Sequence, residues 1–343
     1  MIGYYVHHDG FGHLARAISI CAQMRRPVTL LTSRDVPKPH PFTDVVRLPR
    51  DDSAAHVSEP TAHGALHWVP HHDPGLASRM DAIARWVAHA RPEAIVVDVS
   101  VEVAVLVRLL SVPVIVMALP GKRIDAPHLL VHRLADHIIA TWPKQLCVPA
   151  WLRSYEDKTS FVGGVSRFDG REVPATGTAR GDHESSSPTR VLVLGGAGSF
   201  DGAQAALEEV AADQKDTTWT KLGASDDDWT DDPWPQICDA DVIVSHAGQS
   251  CIADIAAAER PAVIIPQARP FDEQRATARV LRQFRLAVVT QRWPDQRAWP
   301  ALLTHARAGE PVRWRRWEVR GAAARAADAI EQTAQRYAGR PPK

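Results

Sequence analysis

The hydrophobic positions of the chain form short continuous runs that alternate with segments of helical spacing. In the first half, the runs rich in Val and Ile are typical of β-strands and comprise Ile2–Val6, Val28–Thr32, Ala94–Val97, Val112–Met117 and His137–Ala140. Helical spacing lies between them, over Leu14–Met24, Met80–Ala90 and Val101–Leu110. Because strands that are buried on both faces have continuous apolar sequences, this order predicts a parallel sheet covered by helices.

The same alternation restarts after a polar segment. Residues 173–189 are rich in Ser, Thr, Gly and Pro without an apolar period, which predicts a linker. Beyond it, the pattern predicts strands over Arg190–Leu194, Val242–Ser245 and Ala262–Pro266 and helices over Ala203–Ala212 and Ile252–Ala258. Apolar residues at helical spacing over Arg320–Tyr337 predict an amphipathic closing helix.

These patterns predict an α/β chain of two Rossmann-like, doubly wound parallel-sheet domains that face a cleft. The predicted boundaries are 1–172 for an N-terminal domain, 190–318 for a C-terminal domain and 319–343 for a closing helix that packs back toward the N-terminal domain. A length of 343 residues agrees with two cores of about 150 residues each.

Charge and composition exclude several classes of function. The 40 Lys and Arg residues balance 40 Asp and Glu residues, which removes the electrostatic basis for a nucleic-acid partner. No apolar run approaches the roughly 20 residues of a membrane span, so we expect a cytoplasmic protein and leave peripheral contact with a membrane open. The four cysteines lie far apart, and the 16 histidines form no HExxH or Cys/His motif, so we expect neither a metal nor a cofactor.

The segment Gly10–Arg16 follows the first strand and opens the first helix. It lacks the third glycine of a dinucleotide-binding fingerprint, because Ala15 stands there. It carries His13 instead, at the edge of the sheet where doubly wound folds bind ligands. His13 is either a cap of its own helix or a general base that takes a proton from a substrate hydroxyl. Asp98, at the end of a buried strand, either orients His13 or caps the helix that begins near Val101.

Two further loops follow strands in the second half. The loop Leu194–Phe200 contains Gly195, Gly196 and Ser199, which suit close approach to a phosphate. The stretch Ser245–Ile255 predicts a strand, a turn and a helix start, where backbone amides favour an anion. Asp254 lies one helical turn after Ser250 on the same face and is a candidate ligand for ribose hydroxyls. Trp234 is a candidate for stacking on a base, with a place in the core as the alternative.

The order of these motifs resembles the GT-B glycosyltransferases, and glycosyltransferase family 28 most closely. The resemblance rests on G-x-G-H near the N-terminus, Gly-Gly-x-Gly-Ser after the linker, H-A-G-x-S-x-x-x-D from His246, and D-E-Q from Asp272. It covers roughly residues 160–290, whereas the N-terminal domain matches mainly through its opening loop.

The resemblance implies roles for individual residues. It implies that His13 is the base for the acceptor hydroxyl and that Arg167 binds the diphosphate together with the Gly-rich loop. It implies that Asp254, where the family more often has Glu, binds ribose and that Glu273 and Gln274 contact the donor sugar. The candidate catalytic residues are therefore His13 and Asp98, and the candidate donor-binding residues are Gly12, Arg167, Gly195, Gly196, Ser199, His246, Gly248, Gln249, Ser250, Asp254, Glu273 and Gln274. Candidate acceptor-binding residues are Arg123 and His128, with Lys122 and Asp125 in the same loop.

The implied activity is an inverting, metal-independent transfer of a hexose-type sugar from a nucleotide-diphosphate donor, preferably UDP, to an acceptor hydroxyl. The expected partners are the donor and an acceptor that is a glycan, a lipid-linked molecule or a small molecule. Helix N-termini and Arg167 would stabilise the leaving diphosphate.

Two alternatives stay open at this point. The form G-x-G-H-x-x-R, which includes Arg16, also resembles the nucleotide-sugar hydrolases of pseudaminic-acid-type biosynthesis, in which water replaces the acceptor. The long polar segment from Val36 to Pro74 looks like an insertion for a bulky acceptor and favours transfer. The second alternative is a non-catalytic protein that binds nucleotide sugars.

Overall fold

The structure is a computed structural model, and it describes residues 1–8, 10–52, 56–173, 188–195, 216–223, 230 and 232–338. The chain divides into two compact units. The first unit comprises Met1–Thr141, Val148–Val162 and Ala322–Lys343, and the second comprises Trp142–Cys147 and Gly163–Gly321. The segment from Gly163 onward therefore belongs to the second unit, whereas the sequence placed the boundary after residue 172.

The first unit contains a seven-stranded parallel sheet in the order β3-β2-β1-β4-β5-β6-β7. Its strands are β1 (Ile2–Val6), β2 (Val28–Thr32), β3 (Asp44–Arg47), β4 (Ala94–Asp98), β5 (Val114–Ala118), β6 (His137–Ala140) and β7 (Thr159–Phe161). Its helices are α1 (Phe11–Cys21), α2 (Pro74–Ala90), α3 (Val101–Leu109) and α4 (Ala126–Leu134), with a 3₁₀ segment at Ala150–Lys158. Strands β1, β2, β4 and β5 are buried along their whole length, as their continuous apolar sequences predict.

The second unit contains a five-stranded parallel sheet in the order β12-β11-β10-β8-β9. The strands are β8 (Thr189–Leu194), β9 (Thr217–Leu222), β10 (Val242–Ser245), β11 (Ala262–Ile264) and β12 (Val288–Val289). The helices are α5 (Trp234–Asp239), α6 (Gln249–Ala258), α7 (Glu273–Gln283) and α8 (Trp299–Arg307), with 3₁₀ segments at Pro270–Asp272, Gln296–Ala298 and Pro311–Trp317. The predicted helix Ala203–Ala212 and the predicted linker from residue 174 to 187 lie outside the described residues.

The closing helix, α9, spans Ala322–Ala338 and belongs to the first unit, where it packs against α1. Its buried face carries Ile330 and Ala334, as the helical spacing predicts. Glu331 on the same helix is 7% exposed and accepts hydrogen bonds from the backbone N–H groups of Arg25 (2.7 Å) and Arg26 (3.0 Å).

The polar segment from Val36 to Pro74 is not wholly an insertion. Strand β3 lies within it and pairs in parallel with β2, so part of the segment is the edge of the sheet. None of the helices in the described part of the chain is long and apolar enough to cross a membrane.

Candidate active site

The first candidate centre lies where the strand order of the first unit reverses. Strands β1 and β4 are neighbours, and Val6 is in register with Asp98 at their carboxyl ends. Helix α1 begins four residues after β1 with Gly10 as its N-cap, which brings His13 and Arg16 to the end of β4. Doubly wound sheets bind their ligands at such a reversal. The topology therefore places these three side chains in the position that is typical of a reaction site.

His13, Arg16 and Asp98 form one hydrogen-bonded group. His13 Nδ1 lies 2.9 Å from Asp98 Oδ1, while Arg16 donates from Nε to Oδ2 (3.0 Å) and from Nη2 to Oδ1 (2.6 Å). Asp98 is fully buried and Arg16 is 5% exposed, whereas the side chain of His13 is 22% exposed. The imidazole is thus the member of the group that solvent or a substrate reaches.

Asp98 and Arg16 both contact Nδ1 of His13, the nitrogen whose protonation sets the tautomer. Burial alone would raise the pKa of the Asp98 carboxyl, but the adjacent Arg16 and His13 outweigh burial and lower this pKa to about 2. An ionised carboxylate only accepts hydrogen bonds, so the contact with Asp98 favours a proton on Nδ1 of His13. Arg16 Nη2, which only donates, lies 2.9 Å from the same nitrogen and favours the opposite tautomer. When Nδ1 holds the proton, Nε2 has the free electron pair that a general base requires.

The backbone around this group is unusual at two positions. Gly10 has φ 79°, and a Cβ there would lie 3.3 Å from Cδ2 of His13, so the turn favours glycine on both counts. Val99, directly after Asp98, has φ 63°, which is strained for a β-branched residue. Such strain is concentrated at functional sites.

Both structural alternatives for these residues are wrong. Helix α1 has Gly10 as its N-cap and no side-chain cap, so His13 does not cap it. The cap of α3 is Ser100, whose hydroxyl accepts from the N–H of Val103 (3.1 Å), so Asp98 is not that cap either.

The second candidate centre lies at the corresponding reversal in the second unit. Strands β8 and β10 are neighbours there, and Leu194 is in register with Ser245 at their ends. Gly195 and the turn before α6 consequently follow neighbouring strand ends. Gly196 and Ser199 lie outside the described residues, so their predicted phosphate contact stays a prediction.

The start of α6 suits an anion. Gly248 is its N-cap with no side-chain cap, Gln249 and Ser250 are its first two residues, and no acidic side chain lies in its first turn. The helix dipole and the first backbone N–H groups therefore favour a negative charge at this end. His246, 5% exposed, uses Nδ1 to donate to the carbonyl of Ile265 (3.0 Å), and burial lowers the pKa of its imidazole.

The short segment that precedes Arg167 is fixed near this helix by two hydrogen bonds, one from Ser166 and one from Gly164. Ser166 donates its hydroxyl proton to Asp254 Oδ1 (2.6 Å), and Arg167 Nε lies 3.4 Å from Asp254 Oδ2. Gly164 hydrogen-bonds through its N–H to the carbonyl of Trp317 (2.9 Å). A Cβ on Gly164 would lie 2.3 Å from the Trp317 ring, so only glycine allows this approach.

The structure gives Asp254 internal partners. Asp254 is 5% exposed. Burial raises the pKa of its carboxyl to about 6, although Arg167 and Ser166 act in the opposite direction. One carboxylate oxygen accepts from Ser166 and the other lies near Arg167. The ribose role of Asp254 stays a prediction, and what the contacts show is a carboxylate that positions Arg167.

The predicted pair Glu273 and Gln274 opens α7. Gln274 is 5% exposed, and its Oε1 accepts from the backbone N–H of Gln267 (2.9 Å), which closes the loop after β11. Two residues with left-handed backbone, Phe271 (φ 60°) and Asp272 (φ 54°), precede the pair. Glu273 is the more accessible of the two for a sugar hydroxyl.

Trp234 belongs to the core. It is 3% exposed, packs against Phe168 with tilted rings (centroids 4.9 Å apart) and donates from Nε1 to the carbonyl of Glu172 (3.2 Å). It has no free face for a base, so the core interpretation is confirmed.

The predicted acceptor residues lie in the first unit, near the start of α4. Arg123 is 5% exposed, with Nη1 3.2 Å from Nε2 of His128. His128 and His67 both bond Asp125, and burial lowers the pKa of His128 to about 4. Lys122 is exposed in the same loop. His67 was not among the sequence candidates, because it precedes Asp125 by 58 positions.

Comparison with known proteins finds one family model and several solved structures of similar fold. Residues 190–292 match the model of the glycosyltransferase family 28 C-terminal domain. No curated protein matches the chain in sequence. The fold is similar along its whole length to solved structures at low identity, so these likenesses concern the fold alone.

Three of these structures illustrate the likeness. A UDP-glucosyltransferase from Polygonum tinctorium that glucosylates indoxyl has a TM-score of 0.68 and 13% identity, with 99% of each chain covered. The spinosyn rhamnosyltransferase SpnG, complexed with thymidine diphosphate, has a TM-score of 0.64 and 16% identity over 98% of each chain. MurG of Acinetobacter baumannii has a TM-score of 0.53 and 14% identity over 99% of each chain. The predictions of a GT-B fold, of similarity to family 28 and of a transferase are confirmed by these matches together with the family model.

Proposed function

Because residues 190–292 match a glycosyltransferase family 28 C-terminal domain within a GT-B fold, we propose that this chain transfers a hexose-type sugar from a nucleotide diphosphate to an acceptor hydroxyl with inversion. The observation that supports the mechanism is the contact of Nδ1 of His13 with the buried Asp98 carboxylate, on a ring that is partly exposed. In the proposed active form, Nδ1 holds the proton and Nε2 is the base.

In the proposed step, an acceptor hydroxyl gives its proton to Nε2 of His13 while its oxygen attacks the anomeric carbon of the donor. The bond from that carbon to the diphosphate oxygen breaks, and the electron pair leaves with the diphosphate. Attack from the face opposite the leaving group inverts the configuration. Asp98 stabilises the imidazolium that forms and keeps its orientation.

The departing diphosphate gains negative charge, and the second unit supplies the groups that favour it. These are the N-terminal amides of α6 beyond Gly248 and the guanidinium of Arg167. Since these groups supply positive charge without an ion, we propose that the transfer needs neither Mg²⁺ nor Mn²⁺. Adding or chelating these ions is expected to leave the rate unchanged, and a rate that depends on them would contradict this part of the proposal.

The proposed donor is a UDP-sugar, with a thymidine-diphosphate sugar tested beside it. One structural neighbour is a UDP-glucosyltransferase, another is complexed with UDP-2-fluoro-glucose, and SpnG is complexed with thymidine diphosphate. The proposed acceptor is a hydroxyl-bearing glycan, lipid-linked molecule or small molecule that binds the first unit near Arg123 and His128.

The test is a thermal-shift panel of nucleotide sugars, followed by mass analysis of the products with and without candidate acceptors. A glycoside that appears only with wild-type His13 supports transfer. Free sugar as the only product, at a rate that no acceptor changes, would show a nucleotide-sugar hydrolase instead. Binding without turnover of any donor in the presence of the acceptor panel would show a binding protein.

A further inference from the structure

Three histidines of the first unit line one small cavity of about 60 Å³. They are His67, which precedes α2 in sequence, and His128 and His132, which lie on α4. Asp125, the N-cap of α4, precedes His128 by three positions, and His132 follows His128 by four. Side chains with this spacing lie on one face of a helix.

Asp125 connects two of these histidines. Its Oδ2 lies 2.6 Å from Nε2 of His67, and its Oδ1 lies 2.5 Å from Nδ1 of His128. The ligand atoms of these three residues all lie within 4.8 Å of one another. His67 and Asp125 are about one-third exposed, so their side chains have room to adjust.

The loop that carries His67 is fixed by a second carboxylate. Glu102 Oε1 accepts from the backbone N–H groups of His67 (2.8 Å) and Trp68 (3.1 Å). Because Glu102 lies on α3, the loop is tied to the body of the unit and the imidazole of His67 is brought to α4.

His132 supplies an independent observation. It is 2% exposed, it lines the same cavity, and its Nδ1 is buried without a hydrogen-bond partner among the described residues. Its ring stacks on Trp151 (centroids 4.4 Å apart), which donates to the carbonyl of Gly121 (2.9 Å). A buried polar atom without a partner is costly, and such an atom beside a cluster of ligands indicates a bound group.

We propose that His67, Asp125 and His128 bind a divalent transition metal, with Zn²⁺ as the favoured ion. Imidazole ligands favour Zn²⁺ over Mg²⁺ or Ca²⁺, which prefer oxygen. Two imidazoles and one carboxylate supply three of the four ligands that Zn²⁺ takes in a tetrahedral site, and His132 lines the same cavity.

Binding changes the hydrogen bonds in a defined way. The ion replaces the two His–Asp hydrogen bonds, and the ligand atoms that are now 2.5–2.6 Å apart separate to about 3.3 Å, as tetrahedral bonds of about 2.0–2.1 Å require. The imidazole protons that now point at Asp125 move to the opposite ring nitrogens, so that each histidine stays neutral and no redox change occurs.

Arg123 opposes the ion. Its Nη1 lies 3.2 Å from Nε2 of His128, the nitrogen that must carry the proton when Nδ1 holds the metal. Removal of this positive charge is therefore expected to tighten metal binding, whereas it would weaken the binding of an anion in the same cavity.

The experiment measures Zn²⁺ content by elemental analysis and Zn²⁺ affinity by calorimetry on the full chain, with Co²⁺ as a spectroscopic probe. Wild type is expected to bind about one Zn²⁺, to show the visible absorption of tetrahedral Co²⁺ and to gain thermal stability with Zn²⁺. His67→Ala and Asp125→Asn are expected to weaken binding at least about tenfold. Arg123→Gln is expected to tighten it.

His63→Ala is the matched control, since His63 lies in the same loop region with its side chain 92% exposed. It is expected to leave the affinity unchanged. His67→Ala and Asp125→Asn alter partly exposed side chains, and thermal melting without metal verifies that each variant folds. The proposal is overturned if wild type binds no Zn²⁺, or if binding survives both substitutions at wild-type affinity.

Discussion

The side chain of Asp98 has three roles in the first unit. It neutralises the buried Arg16, contacts Nδ1 of His13 and ends strand β4 at the reversal of the sheet. Loss of Asp98 would leave a buried guanidinium without its carboxylate, so a variant at this position alters stability together with chemistry. His13 is the better residue to substitute, because its ring is partly exposed.

We expect His13→Ala to lower the transfer rate by about 10²–10⁴-fold, the usual contribution of a general base. Donor affinity is expected to remain, because the donor-binding groups lie in the second unit. Turnover is measured by product mass and donor affinity by calorimetry. His89→Ala, which removes an exposed histidine from α2, is the control and should keep the full rate. Equal turnover in His13→Ala and wild type would disprove the role of the base.

Asp254 gives a prediction about pH. Its pKa in the folded chain is about 6, against an ordinary value of 3.8, so the folded state holds the proton more tightly than the unfolded state. The free energy of unfolding consequently falls as pH rises from about 4 to 6, by up to about 3 kcal/mol.

The substitution Asp254→Asn removes this ionisation. We expect the difference in unfolding free energy between the variant and wild type to shift in favour of the variant between pH 5 and pH 7.5, as measured by denaturant titration. Ser166→Ala is a companion variant, since it removes the hydrogen bond but keeps the titrating group. A difference that is the same at both pH values would contradict the raised pKa.

At this scale the sequence predicts residues that a single loop or strand end presents. His13 and Asp98 are identified because each stands at the carboxyl end of a recognisable strand. Ser166 is missed, because it meets Asp254 across 88 positions and a lone serine in a Gly-Gly-x-Ser turn carries no distinct signal. The strain at Val99 is missed too, since a valine sequence favours extended backbone rather than φ 63°.

Helix α6 is the element whose N-terminus the proposed chemistry uses. Gly248 has ordinary extended backbone (φ −69°), and a Cβ there would meet no atom within 4 Å. Glycine is therefore not required by the local structure, although a small uncharged cap leaves the helix N-terminus open to an anion.

We expect Gly248→Asp to have opposite effects on folding and binding. An acidic N-cap stabilises the helix by a few tenths of a kcal/mol to about 1 kcal/mol. The same carboxylate repels the donor diphosphate, so donor affinity is expected to fall. Thermal melting and donor calorimetry measure the two effects. Gly248→Ser is the neutral control, and equal donor affinity in all three proteins would exclude this helix end from the diphosphate site.

The elements themselves were predictable where burial is continuous. The bounds predicted for Ile2–Val6, Val28–Thr32 and Val242–Ser245 agree with β1, β2 and β10, because fully buried strands have unbroken apolar sequences. Strand β3 was missed because it lies at the sheet edge, half-exposed, with Asp44 and Arg47 at its ends. Helix α7 was not among the predicted helices, because its polar sequence has only a narrow buried stripe.

At the scale of the whole molecule, α9 is the last element of the chain and a part of the first unit. Its Glu331 accepts hydrogen bonds from two backbone N–H groups that follow α1. A buried carboxylate thus joins α9 to the segment between α1 and β2.

We expect Glu331→Ala to lower the free energy of unfolding by about 1–3 kcal/mol, because the N–H groups of Arg25 and Arg26 lose a charged acceptor. Asp328→Ala is the control. Asp328 contacts Arg25 from the surface with its side chain 53% exposed, so its loss is expected to cost less than about 1 kcal/mol. Denaturant titration measures the free energy of unfolding of both variants. Equal losses would show that the buried acceptor stabilises the fold no more than the exposed one.

The first unit contains segments that lie before and after the second unit in the sequence, and this order affects its folding during synthesis. Ribosomes release a chain from its N-terminus, so strands β1 to β7 emerge long before α9. Until Ala322–Ala338 appear, the face of the first unit that α9 covers has no partner, while all residues of the second unit have already been made. The unit that is translated first is therefore the one that completes its native contacts last, and a nascent chain stalled before residue 322 would expose an incomplete apolar surface to chaperones.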